Sequence, residues 1–212
     1  MVTTTTAGLL LDAMGTLIGL RQSVGTTYAA VAQAHGLQVE AAAIDRVFPE
    51  VFSQAPPLAF PGLSSQALGA AEVTWWGERI NTTLQRAGGS PASEALQKEL
   101  FAHFANPSLW KVYDDVPDQL ERWKARGLKL AVVSNFDQRL HGLLDGLGLS
   151  QWLDAVVISS DAGAAKPDPL PLRLALEALG LEAQQVWHVG DSRADEQAAL
   201  AAGIRCVLVR RP

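Results

Sequence analysis

Two acidic segments, near opposite ends of the chain, carry side chains that could attack a phosphorus centre and hold a metal ion. Asp12 ends the apolar run Gly8–Leu11 and is followed by Gly15, which is the pattern of a turn after a buried strand. An aspartate there can form a covalent aspartyl-phosphate and so divide one difficult step into two. Asp191 and Asp195 stand four residues apart after another apolar run, and Mg²⁺ prefers oxygen ligands of this kind. Each segment alone is also typical of an ordinary turn or helix cap.

A hydroxyl group and an ammonium group stand at similar places in the second half of the chain. Ser134, followed by Asn135, ends the apolar run Leu130–Val133 and precedes a helical segment. A hydroxyl and free backbone N–H groups at the start of a helix can bind a phosphate oxyanion. Lys166 could neutralise both the nucleophile and the transferring group. A simple N-cap and a solvated lysine are the alternatives, but the order of the four segments favours one common site.

Short runs of valine, isoleucine and leucine alternate with helical segments from residue 116 onward. This alternation is typical of βαβ units in a parallel sheet that helices cover on both faces. Together with the N-terminal run, it predicts an α/β fold whose core is a three-layer, Rossmann-like, parallel five-stranded sheet. Because ligands bind outside the carboxyl ends of such strands, we expect the four segments to meet at one edge. The predicted strands are Gly8–Leu11, Leu130–Val133, Ala155–Ile158, Val186–Val189 and Arg205–Val209.

About eighty residues after the first strand have a different character. Alanine-rich stretches with apolar residues three and four apart predict amphipathic helices at Val24–Gly36, Ala41–Phe52 and Ala92–Phe104, with a further helix around Trp75. We therefore predict an α/β core domain made of residues 1–18 and 106–212, interrupted by an all-helical cap domain over residues 19–105.

The composition excludes several classes of partner. Apolar residues make up 48% of the chain and charged residues 18%, which is enough apolar material for a packed interior. The net charge is −5 and no basic face is evident, so nucleic acid is not expected as a partner. The N-terminal apolar run is broken by Asp12 and is too short to span a membrane. One cysteine excludes an intrachain disulfide, and we expect a cytoplasmic protein whose oligomeric state the sequence leaves open.

Taken together, the four segments resemble the four sequence motifs of the haloacid dehalogenase (HAD) superfamily, and the resemblance covers the whole chain. The helical insert is similar to the type-one cap of subfamily I. Within the superfamily, the chain most resembles the group called haloacid dehalogenase-like hydrolase domain-containing protein three. The matching stretches are Leu20-Arg21, Val24-Gly25, Ala34–Leu37, Trp75-Trp76, Arg126–Leu140 and Gly146–Leu149.

This resemblance implies Mg²⁺-dependent hydrolysis of a small phosphorylated molecule. Asp12 would be the nucleophile, Thr16 would support its loop, and Lys166 would bridge the phosphoryl group to Asp12. Ser134 and the adjacent Asn135 would bind the phosphoryl oxygens. The implied metal ligands are Asp12, the backbone carbonyl of Met14, Asp191 and, directly or behind these ligands, Asp195.

An arginine and a pair of tryptophans in the predicted cap region are candidates for substrate contact. Arg21, at the junction between the core and the helical insert, could meet an anionic group of the substrate. Trp75 and the adjacent Trp76 could present an aromatic wall to the cleft, although large apolar side chains on a helix more often serve packing.

Met14 is the main departure from the phosphatases of the superfamily. They normally carry a second aspartate at this position, two residues after the nucleophile, which protonates the leaving group and later activates water. General acid–base help is worth about 10²–10⁴-fold in rate, and a thioether cannot supply it. We expect a slow phosphatase or one limited to good leaving groups. A non-catalytic protein that binds a phosphorylated ligand is the alternative, and a dehalogenase-type hydrolase is less favoured because the Gly190–Asp195 metal motif is retained.

Overall fold

The computed structural model describes residues 5–63 and 65–211. Residues 1–4, 64 and 212 lie outside this part, so the outermost limits of the domains proposed from sequence stay predictions. In chain order, the helices and strands are β1 (Gly8–Leu11), β2 (Ile18–Leu20), α1 (Val24–Ala34), α2 (Ala41–Ser53), α3 (Ser65–Arg86), α4 (Glu94–His103), β3 (Trp110–Val112), α5 (Val116–Ala125), β4 (Lys129–Ser134), α6 (Arg139–Gly146), β5 (Ala155–Ile158), α7 (Ser159–Ala162), α8 (Leu170–Leu179), β6 (Val186–Gly190), α9 (Arg193–Ala202) and β7 (Arg205–Leu208).

Five strands form one parallel sheet in the order β5-β4-β1-β6-β7. The predicted α/β core with a parallel five-stranded sheet is therefore confirmed, and the observed strand ends differ from the predicted ones by no more than one residue. Strand β1 lies at the centre, with all four of its residues buried. This explains its unbroken apolar sequence, because a strand covered on both faces has no position for a polar side chain.

Helices cover both faces of the sheet. Leu9 and Leu11 point to the side that holds α5 and α6 and pack with the apolar residues of those helices. Leu10 points to the other side and packs against α8 and α9. This alternation follows from the two-residue period of a strand. The two apolar layers fix the height and direction of β1, and with them the position of Asp12 at its carboxyl end.

Helices α1–α4 enclose an apolar core of their own, to which each of the four contributes buried side chains. The longest, α3, has 22 residues and carries Glu72, Glu78 and Arg79 within its length. None of the helices in the described residues combines the length and the apolar character needed to cross a bilayer.

A two-stranded antiparallel ribbon joins the helical unit to the sheet. Ile18 pairs with Val112 and Leu20 pairs with Trp110, so the two segments that enter and leave the helical unit are hydrogen-bonded to each other. The sequence assigned Gly19 and Leu20 to the all-helical insert, but the structure places them in this ribbon. Strands of three residues are too short to show a two-residue period, so the hydrophobic pattern could not reveal them.

Two glycines on helices of this unit give a matched test of its packing. A Cβ at Gly25 would collide with the backbone carbonyl of Ala41 and the carboxylate of Asp45, whereas a Cβ at Gly69 meets nothing within 4 Å. We expect Gly25→Ala to lower the free energy of unfolding by about 1–3 kcal/mol through overpacking. Gly69→Ala should raise it by about 0.5–1 kcal/mol because alanine favours a helix. Urea denaturation measures both, and two changes of the same sign would contradict this account of the α1–α2 contact.

Candidate active site

The four sequence segments meet at the carboxyl edge of the parallel sheet. Asp12 follows β1, and its backbone N–H donates to the carbonyl of Val189 at 2.8 Å. Ser134 ends β4, Asp191 follows β6, and Lys166 lies in the loop between α7 and α8. All four line one cavity of about 340 Å³. The expectation that these segments gather at one edge is thus confirmed by the geometry.

Lys166 is the central charged group of the site. Its side chain is almost fully buried, and Nζ donates to Oδ1 of Asp12 at 2.6 Å, to Oδ1 of Asp195 at 2.5 Å and to the carbonyl of Val133 at 2.8 Å. Burial alone would lower the pKa of Lys166, but the charges of Asp12 and Asp195 outweigh it and raise the pKa above its ordinary value. The lysine is therefore a fixed ammonium ion placed directly against Asp12.

Asp195 uses both of its carboxylate oxygens inside the protein. Oδ1 accepts from Lys166 and lies 2.9 Å from Nε2 of His188, while Oδ2 accepts from the backbone N–H and the hydroxyl of Ser192. Burial would raise its pKa, but the bond to His188 and the charge of Lys166 hold it well below its usual range. Asp195 is thus an anion that positions Lys166, and its remaining capacity to bind a metal directly is small.

Asp12, Asp191 and Asp195 form a cluster in which one oxygen of each carboxylate lies within 4.8 Å of the others. The clustering places the carboxylates at positions 12 and 191 within reach of a single ion. Burial and the nearby charges of Asp12 and Asp195 raise the pKa of Asp191. The negative charge here exceeds what Lys166 compensates, and hard oxygen donors around such an excess are the donor set that suits Mg²⁺.

Gly15 brings the loop after β1 close to this cluster. Its φ angle is +80°, and a Cβ at this position would overlap the Asp191 carboxylate. Only glycine allows both the left-handed turn and this approach. Met14, immediately before it, is 42% exposed and lines the cavity. No carboxylate stands at this position, as the sequence had indicated.

Thr16 and Asn135 hold backbone segments of the site. The carbonyl of Thr16 accepts two hydrogen bonds from the Arg211 guanidinium, which tie the Asp12 loop to the C-terminal segment. The side-chain amide of Asn135 donates to the carbonyl of Lys166 at 2.8 Å and accepts from its backbone N–H at 2.7 Å. Asn135 also lines the cavity, so its predicted contact with substrate stays a prediction beside this positioning of the lysine loop.

Of the side chains predicted to contact substrate from the cap, Arg21 and Trp75 do not line the cavity. Arg21 is exposed, and its backbone N–H donates to the carbonyl of Leu109 at the ribbon. Trp75 is buried within the helical unit, where its indole N–H donates to the carbonyl of Pro56. Among the described residues, the neighbouring Trp76 lines the cavity and these two do not. Helical periodicity gave only the approximate side of α3, and one step along a helix turns a side chain by about 100°.

Polar contacts that were not predicted connect the helical unit to the sheet beside the cavity. Asp137, fully buried after β4, accepts from the indole N–H of Trp76 at 2.7 Å and pairs with two nitrogens of Arg139. The third guanidinium nitrogen of Arg139 donates to the carbonyl of Phe101 on α4. Glu72 on α3 accepts from the backbone N–H of Gln138. A clue was present in Asp137 and Arg139, since charges this close to an apolar strand need partners.

Comparison with known proteins matches residues 6–203 to the family model described as haloacid dehalogenase-like hydrolase. Haloacid dehalogenase-like hydrolase domain-containing protein 3 of Bos taurus is 38% identical over 206 residues, which are 95% of this chain and 80% of that protein. A phosphoglycolate phosphatase of Aquifex aeolicus is 39% identical over 108 residues, 50% of this chain and 51% of the relative. CbbY from Rhodobacter sphaeroides, solved in complex with phosphate, has a TM-score of 0.69 at 19% identity, covering 98% of this chain and 87% of that one.

Two adjacent tryptophans test the connection between the helical unit and the sheet. Trp76→Phe removes an N–H donor to the buried Asp137 carboxylate, and a hydrogen bond to a charged group contributes about 1.5–3 kcal/mol. We expect lower stability by this amount and faster amide hydrogen exchange around Asp137. Trp75→Phe also removes one indole hydrogen bond, but within the helical unit. It should leave exchange at Asp137 unchanged, and equal exchange in the two variants would contradict the connection.

Proposed function

The chain belongs to the haloacid dehalogenase-like hydrolase family, and on that premise we propose that it hydrolyses the phosphate ester of a small molecule with Mg²⁺ and Asp12 as the nucleophile. One observation carries the proposal: Lys166 holds Oδ1 of Asp12 at 2.6 Å at the rim of a cavity that also contains Asp191 and Ser134. A nucleophile, a cation for phosphoryl oxygens and an acidic cluster thus face the same space.

The reaction would take place in two steps on Asp12. A carboxylate oxygen attacks phosphorus, the ester P–O bond breaks, and the alcohol oxygen leaves with the bonding electrons. Water then attacks the phosphorus of the aspartyl-phosphate and releases inorganic phosphate and the free carboxylate, so that one difficult displacement becomes two easier ones. Ser134 would bind the phosphoryl oxygens through both steps, and Lys166 would stabilise them by its positive charge from its place beside Asp12. Since Lys166 is already fixed by three hydrogen bonds, its charge needs little reorganisation during the reaction.

Mg²⁺ is the cofactor that the acidic cluster supports. We propose Asp12, Asp191 and the backbone carbonyl of Met14 as its protein ligands, with Asp195 acting through Lys166 because both Asp195 oxygens are already used. When bound, the ion would neutralise negative charge on the phosphoryl group and on the carboxylates. Burial first, and then the neighbouring negative charges of Asp12 and Asp195, raise the pKa of Asp191, and a bound cation would offset the charge part of this effect.

Met14 would limit the rate. Its thioether can neither protonate a leaving oxygen nor activate water, and the step that frees the alcohol then depends on the acidity of the alcohol itself. We therefore propose a slow enzyme, or one selective for esters of acidic alcohols. The same observation supports a second candidate, a protein that binds a phosphorylated ligand without turning it over.

A panel of phosphate esters, assayed with Mg²⁺ and with EDTA, tests the proposal. We expect phosphate release from phenyl and 4-nitrophenyl phosphate with Mg²⁺ only, and loss of at least about 10³-fold in Asp12→Asn because no nucleophile remains. Asp145→Asn, an exposed aspartate on α6, is the control and should retain full activity. No turnover of any ester with Mg²⁺ would favour the binding candidate. Chloride release from a 2-chloro acid without metal would favour a dehalogenase-type reaction.

Met14→Asp tests whether the missing acid sets the rate. We expect hydrolysis of an alkyl phosphate to rise by about tenfold or more, since proton transfer to a poor leaving group is worth about 10²–10⁴-fold. Hydrolysis of 4-nitrophenyl phosphate should change much less, because that leaving group needs no proton. Met14→Leu keeps the size and lacks the acid, so it should match the wild type on both esters. No rise with either ester would show that Met14 does not limit the rate, whereas an equal rise with both would place its effect on the attack of water, the step that the two esters share.

A further inference from the structure

The cavity next to Asp12 has two chemically different halves. The half at the sheet edge contains the polar and charged groups already described. The half formed by the helical unit and the ribbon is apolar and largely aromatic. Among its described residues, Phe52 stacks on Trp76 with ring centroids 5.9 Å apart, and Trp110 lies 5.9 Å from Phe136. Leu20 and Val24 also line this apolar half. A phosphoryl group held at the polar end would direct the rest of a ligand into these apolar surroundings.

Arg139 is the cation that lies on the apolar side, and its charge is already compensated. Its Nε and one terminal nitrogen donate to the two oxygens of Asp137 at 2.7 and 2.6 Å, and its other terminal nitrogen donates to the carbonyl of Phe101 at 2.7 Å. Asp137 is fully buried, so the two charges form a closed pair of the bidentate kind. At the polar end of the cavity, Lys166 is paired with the carboxylates of Asp12 and Asp195. Among the described residues that line the cavity, no further cation can pair with a second anionic group of a ligand.

From this arrangement we propose, resting on the proposed function, that the ligand of this site is the phosphate monoester of a neutral, apolar and preferably aromatic alcohol. A second phosphate or a carboxylate on the ligand is disfavoured, because it would be buried without a counter-charge. Met14 points to the same class independently. A phenol ionises near pH 10, far more readily than an alkyl alcohol, so an aryl phosphate loses its leaving group with little help from an acid.

Binding of phosphonates tests the ligand class without requiring turnover. Calorimetry on the Mg²⁺-loaded chain would compare methylphosphonate, benzylphosphonate and 3-phosphonopropionate. Because the ring buries apolar area, we expect benzylphosphonate to bind about tenfold more tightly than methylphosphonate, or better. The added carboxylate of 3-phosphonopropionate should give no gain. Equal affinity for the benzyl and methyl compounds, or tightest binding of 3-phosphonopropionate, would overturn the proposal.

Two substitutions on α1 locate the effect. Val24→Thr keeps the size of a cavity residue but adds a hydroxyl to the apolar wall, and should weaken benzylphosphonate severalfold while leaving methylphosphonate unchanged. Ala30→Ser adds a hydroxyl on the exposed side of the same helix and should change neither affinity. Equal effects of the two substitutions on benzylphosphonate would count against the apolar wall as the binding surface.

Asp137→Asn reverses the charge argument. It leaves the Arg139 guanidinium without its counter-charge, so the affinity for 3-phosphonopropionate relative to methylphosphonate should rise several-fold. No change in this ratio, in a variant whose folding is confirmed by circular dichroism, would show that charge pairing does not exclude a second anion.

A parallel assay separates this inference from the proposed function. If benzylphosphonate binds as expected and no ester is hydrolysed, catalysis fails and the ligand class stands; if phosphoglycolate is hydrolysed faster than phenyl phosphate, catalysis stands and the ligand class fails.

Discussion

The ion-pair arrangement around Lys166 is the constraint on which the rest of the site depends. A buried ammonium ion is tolerated only with partners, because removing it from water costs several kcal/mol. Here Asp12 and Asp195 supply them, with the carbonyl of Val133 as a third acceptor. The three groups come from β1, α9 and the end of β4, so the pairing requires three elements to be correctly placed at once. The same contacts that satisfy the lysine also hold Asp12 in one orientation.

Several polar groups around this arrangement serve to keep it in place. Asn135 fixes the backbone of Lys166, and Ser192 and His188 complete the hydrogen bonds of Asp195. His188 lies on β6 and is fully buried, with Nδ1 3.0 Å from the carbonyl of Leu10. It therefore connects the central strand of the sheet to the anion that positions the lysine. In a low-dielectric interior, such a network is strong when every member is paired and costly when one is not.

The sequence predicted the parts of the molecule that repeat a simple pattern. The strands Ala155–Ile158 and Gly8–Leu11 were predicted to the residue, because buried parallel strands are short apolar runs with clear ends. Because the carboxyl ends of parallel strands lie at one edge of a sheet, the predicted strands also predicted that Asp12 and Asp191 lie close together. The ribbon strand Ile18–Leu20 has no such pattern. Whether Trp75 or Trp76 lines the cavity depends on the rotation of α3 about its axis. Asp137 and Arg139 bind Trp76 and the carbonyl of Phe101, which are far from them in the chain. Local sequence patterns do not predict contacts over such a separation.

The charged groups at the two ends of the cavity differ in whether their charges balance. Lys166 and its carboxylates leave net negative charge near Asp191, which suits a cation. Arg139 and Asp137 balance each other and leave no net charge beside the aromatic rings. Apolar surroundings strengthen the electrostatic interactions beside them, because opposite charges attract more strongly where the dielectric constant is low. The apolar wall therefore strengthens the attraction between Asp12 and Lys166, and it stays apolar only while the Arg139 charge remains paired with Asp137.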